Sequence, residues 1–128
     1  MTQTNFNLKS YLPILATVYA EGKKHTPKEH DALISDILHK AESGKKEYGA
    51  DTGSISNVLH TNFQSAKTKN SKYLEALNLS FKNPDDENNF KKVVSRFSGI
   101  MRGTIERHPF KLAKPAGRKS SGKLGTIR

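Results

Sequence analysis

Cysteine and tryptophan are absent from this 128-residue chain. Without a thiol, a disulfide framework, a thiolate metal site and a cysteine nucleophile are all excluded. The composition fits a reducing compartment. Aromatic residues make up 8% of the chain and hydrophobic residues 34%. The core therefore has to be thin, built from Leu, Ile, Val and Phe with Tyr at its edges. No apolar stretch approaches the roughly 20 residues that a membrane span needs. The opening MTQTNFNLKS has no basic segment followed by an apolar run. No secretory signal is expected, and a cytoplasmic location is.

Acidic residues are scarce as well. There are 12 Asp+Glu against 22 Lys+Arg, a net charge of +10. From Pro109 onward the bases Lys111, Lys114, Arg118, Lys119, Lys123 and Arg128 meet no acid at all. That leaves +4 of the +10 for residues 1–108. A mildly basic domain with a strongly basic tail points to a polyanionic partner, because Lys and Arg displace condensed counterions from a phosphate backbone.

What is present reads as helix. The length fits one domain. Tyr11, Leu12, Leu15, Val18 and Tyr19 share a helical face, with Ser10 as cap, Pro13 in the first turn and Gly22 as stop. Thr26-Pro27-Lys28-Glu29 matches a capping box with Pro at the first helical position. Leu33, Ile34, Ile37, Leu38 and Ala41 follow as its stripe, and Gly44 ends it. A short helix carries Ile55, Val58, Leu59 and Phe63. QSAKTKNS is read as a linker that either loops or continues that helix. Ser71 opens another helix through Tyr73, Leu74 and Leu77, with a strand over Leu77–Phe81 as the rival reading. Asn83-Pro84 followed by three acids opens the last helix. Its stripe runs from Phe90 to Ile105, and it is expected to stop before His108-Pro109. Gly99 and Gly103, four apart, suggest a close helix–helix crossing and a candidate homodimer face.

The expected fold is all-α: a compact bundle of about five helices over residues 1–108, then a flexible basic C-terminal tail over 109–128. The frayed N-terminus ends near residue 7. No internal repeat is present.

The stretch YGADTGSISNVLHTNF joins a glycine turn to a helix with a polar face. Over residues 41–60 it resembles a helix-turn-helix DNA-binding segment. Tyr48 and Gly49 stand at the apolar and turn-glycine positions, Ala50 is the small residue that follows, and Ile55 and Val58 are the packing positions. Gly44 and Lys45 depart from the family pattern, and Gly44 makes the spacing atypical. The resemblance implies that Asp51, Thr52, Gly53, Ser54, Ser56, Asn57 and His60 lie at or near the groove. The other reading is an ordinary helix–loop–helix connection.

Lys45, Lys46, Lys67, Lys69 and Lys72 flank this stretch and suit phosphate contacts, leaving Ser54, Ser56 and Asn57 to read bases. A second group, Lys91, Lys92, Arg96, Arg102 and Arg107, lies along the last helix. The tail segment KPAGRKSSGK, with Lys114, Arg118, Lys119 and Lys123, resembles minor-groove arms and AT-hook peptides. It lacks their Arg-Gly-Arg-Pro core, so a nonspecific electrostatic arm is expected.

His25, His30, His39, His60 and His108 form no paired-ligand spacing of a zinc site, so no metal or cofactor is expected. No catalytic motif occurs, and the chain is read as non-enzymatic. The leading expectation is a small DNA-binding regulator or accessory factor. A helical inhibitor or adaptor of a nucleic-acid-handling protein and an RNA-binding protein are the alternatives.

Overall fold

The structure is a computed structural model that describes residues 8–109. The expected frayed N-terminus and the tail from residue 110, with Lys114, Arg118, Lys119 and Lys123, lie outside the described residues. The described part is all-α, with six α-helices and one 3-10 turn. No helix in it is long and apolar enough to cross a membrane.

Helix α1 (Leu8–Glu21) is the hub. Every residue from Ile14 to Tyr19 is buried, and α1 touches all five other helices. A helix that is apolar all round must be enclosed by its neighbours, and this one is. Its buried Thr17 donates its hydroxyl to the Pro13 carbonyl at 2.8 Å. The helix begins at Leu8 rather than after Ser10, so Pro13 sits inside it and not in the first turn.

Helix α2 (Pro27–Ser43) starts as the sequence predicts: the Thr26 hydroxyl accepts the Glu29 N–H at 3.1 Å. Gly44 ends it in the left-handed region at φ 69°. A 3-10 turn (Lys46–Tyr48) follows, then α3 (Ile55–Asn62), α4 (Gln64–Thr68), α5 (Ser71–Leu77) and α6 (Pro84–Arg102).

The QSAKTKNS segment is resolved in favour of helix: α4, then a break at Lys69 in the left-handed region. Helix α4 has no cap of its own, since Phe63 precedes it. The Glu21 carboxylate at the end of α1 accepts the Ser65 N–H and hydroxyl instead. This long-range cap is why five expected helices become six. The strand over Leu77–Phe81 does not form. Leu79 N–H bonds to the Ala76 carbonyl and Ser80 N–H to the Glu75 carbonyl, which wraps the chain out of α5.

Helix α6 stops five residues before the expected boundary. Gly103 turns left-handed at φ 82°, and Gly103 and Thr104 cap the carbonyls of Ile100 and Gly99. Ile105 then folds back over Gly99, where its Cγ1 lies 2.7 Å from the place of a glycine Cβ. Gly99 is thus covered from within the chain and Gly103 is a cap, so the two do not share one open helix face. The exit segment is strapped to α2: Arg107 grips Glu42 with two bonds and His108 N–H donates to Ser35 Oγ. Arg96 makes a bidentate pair with the buried Asp31, which ties α6 to α2.

Candidate nucleic-acid interface

Helix α3 begins at a cap that its own sequence supplies: Ser54 Oγ accepts the Asn57 N–H at 3.3 Å. One step earlier, Thr52 Oγ1 accepts the Ser54 N–H. Both hydroxyls keep their own proton and can donate it outward. Val58 and Leu59 turn inward. Thr52, Ser54, Ser56 and Asn57 remain exposed, and His60 is half-buried.

The connection from α2 differs from a helix-turn-helix. That motif joins its helices by a turn of about three to four residues. Here residues 44–54 intervene, with the 3-10 turn among them. The longer path is held in place by side chains. Asn57 Nδ2 donates to the Gly49 carbonyl at 2.9 Å, and Asn62 Nδ2 to those of Tyr48 and Val58. The Lys40 ammonium lies over the rings of Tyr48 and Phe63. Asn57 therefore spends an amide donor inside the fold, which leaves Ser54 and Ser56 as the outward pair.

The flanking lysines divide. Lys45 and Lys46 lie at the 3-10 turn, and Lys67 and Lys69 at α4 and its end. Both elements pack on α3. All four lysines are exposed and have no carboxylate within ion-pair distance among the described residues. Lys72 differs: its Nζ is 3.1 Å from Asp86 and lies over the Tyr19 ring. It joins α5 to α6 and α1, so its charge is shared with a carboxylate of the fold. In the second group Lys91, Arg96 and Arg107 are paired with Glu87, Asp31 and Glu42. Lys92 and Arg102 are not.

The carboxylates are mostly consumed. Asp31, Asp36, Glu42, Glu75, Asp86 and Glu87 pair with bases, and Glu21 and Glu29 accept N–H groups. The unpaired surface charge is thus dominated by lysine.

A second constellation escaped the spacing rules. His25 Nδ1 lies 2.9 Å from His30 Nε2. The Glu29 carboxylate is beside them, and the three donor atoms lie within 4.8 Å of one another. His25 reaches this position by adopting φ 53° in the loop between α1 and α2. The capping box is modified accordingly: the Glu29 carboxylate passes the cap and accepts the N–H groups of Lys23, Lys24 and His25. Burial pushes that carboxyl up, but the backbone donors outweigh it and hold it below its ordinary value. Burial lowers His25, and it lowers the fully buried His30 to about 4, with His25 adding to the effect. Both rings are neutral near pH 7. His30 Nδ1 has no hydrogen-bond partner. Beside the cluster is a cavity of about 230 Å³ lined by His25, Pro27, His30, Lys92, Ser95 and Arg96. The only sequence signal was the run H-x3-E-H, and it becomes a cluster only through the left-handed turn at His25.

Comparison of the chain with protein families, with curated proteins and with solved structures gave no match.

Proposed function

We propose that this chain is a non-enzymatic nucleic-acid-binding protein, a small cytoplasmic DNA-binding regulator or accessory factor. The observation that carries the reading is the placement of Lys45, Lys46, Lys67 and Lys69. They flank α3 on two elements packed against it, exposed and without carboxylate partners. Such lysines anchor phosphates and set register. Between them the residues leading into α3 and its first turn offer the Thr52, Ser54 and Ser56 hydroxyls to a groove, and its last turn offers the His60 ring. The bases of the tail, Lys114, Arg118, Lys119 and Lys123, add salt-sensitive affinity. Tyr19, Phe63, Tyr73, Phe90 and Phe97 are buried, so they give single-stranded RNA no stacking platform.

The test is duplex DNA binding measured across salt, for the full chain and for Lys45→Gln/Lys46→Gln/Lys67→Gln/Lys69→Gln. Each lost phosphate contact should flatten the log–log salt slope by about 0.9. Ser56→Ala should relax sequence preference without flattening it. Absence of duplex binding at low salt sinks the reading.

A second reading rests on Leu74 and Leu79, exposed at 39% and 50% on α5 and its exit. They suit a protein partner, as in an inhibitor or adaptor of a nucleic-acid-handling protein. A partner retained by the native chain and released by Leu74→Ser would favour it.

A further inference from the structure

We propose that His25, Glu29 and His30 form a binding site for a divalent transition ion of the zinc class. Two imidazoles and a carboxylate are a donor set suited to Zn²⁺. All three donors come from the loop after α1 and the first turn of α2, and they already lie within 4.8 Å of one another. Tetrahedral zinc places its ligand atoms about 3.3 Å apart. The two ring nitrogens, now 2.9 Å apart, have to open by a few tenths of an ångström. The carboxylate, within 4.8 Å of the ring nitrogens, has to close by up to about 1.5 Å, within reach of a side-chain rotation. Its Oε1 accepts the N–H groups of Lys23, Lys24 and His25, while Oε2 takes only the shared Lys23 N–H at 3.1 Å. Oε2 is therefore the oxygen with lone pairs to give.

The proton balance is simple. In the free protein one proton lies between His25 Nδ1 and His30 Nε2. With the ion bound, both of those nitrogens present lone pairs, and each neutral ring carries its proton on the other nitrogen. For His30 that is Nδ1, the atom that has no partner now. No proton is released from the rings. The cavity beside the two rings, lined also by Lys92, Ser95 and Arg96, would admit a water as fourth ligand. The nearby Lys92 opposes a dication, which sets the affinity below that of a closed structural site and gives a discriminating variant.

The experiment is titration of the full chain with Zn²⁺ and with Co²⁺, followed by calorimetry and by visible d–d absorption. One equivalent of saturable binding with tetrahedral Co²⁺ absorption is expected. Histidine nitrogen NMR should show one of the two rings change tautomer on adding Zn²⁺, leaving His30 protonated at Nδ1 and His25 at Nε2. His25→Asn keeps a residue that tolerates the left-handed turn and should weaken binding at least about tenfold with helicity retained. Lys92→Gln should tighten it. No saturable binding at micromolar ion overturns the proposal. So does binding that is unchanged in His25→Asn, which would place the ion on other histidines.

Discussion

Glu21 Oε2 accepts two bonds from Ser65, from its N–H at 3.1 Å and its hydroxyl at 2.7 Å. The two residues are 44 positions apart. A charged acceptor on one helix thereby caps another that has no cap of its own, and Ser65 is 3% exposed. Glu21→Ala strands a buried N–H and should cost about 2 kcal/mol of stability. Ser65→Ala removes only the hydroxyl bond and should cost less. Urea denaturation of both variants checks the order; equal losses would contradict it.

Gly49 is the most constrained glycine. It has φ 72°, and a Cβ there would lie 2.8 Å from the Asn57 carbonyl oxygen and also against the Thr61 hydroxyl. Gly49→Ala should destabilise by about 2–3 kcal/mol through backbone strain and overpacking. It should also loosen the hold of Asn57 on the connection before α3. Amide exchange across residues 45–57 would show that loosening, and unchanged protection would argue against it.

Leu79 stands at φ 54° in a turn that glycine normally fills, and it is 50% exposed. Leu79→Gly should raise stability by about 1 kcal/mol, because relief of the left-handed strain outweighs the added freedom of the unfolded chain. A fall in thermal midpoint would mean that the exposed side chain makes a stabilising contact.

His30 makes stability depend on pH. Its folded value is about 4, against an ordinary 6.5. Between those values the unfolded chain binds a proton that the folded chain does not, so acid favours unfolding. The contribution is fully present above pH 6.5 and is lost as pH falls towards 4. The loss should be about 2 kcal/mol by pH 5 and roughly 3 kcal/mol in all. Unfolding free energies measured in chelator at pH 7 and pH 5 give the slope. A Phe at position 30 in a folded variant should flatten it.

Local chemistry made the helices legible. Thr26-Pro27, Ser54 and Asn83 cap helices within three residues of themselves, and Gly44 adopts the left-handed turn that ends α2, whereas Asn70, not Ser71, caps α5 and Gly103 ends α6 earlier than its apolar stripe suggests. Such signals act over one helical turn, so the amino-acid order alone sets the all-α class and most helix starts. The same holds for the lysine-rich balance and the polar start of α3. Other features hang on residues far apart in the chain. Only packing against α1 brings Glu21 to Ser65 and makes α4 a helix. Only the pairing of Lys72 with Asp86 separates it from Lys45, Lys46, Lys67 and Lys69, which look alike in sequence. Only the return of Ile105 covers Gly99, and only the backbone turn at His25 brings two imidazoles to hydrogen-bond distance. The difference is physical: a cap or a stripe is fixed by neighbours in the chain. Which lysine is paired and which histidine is buried depends on contacts that no local rule contains.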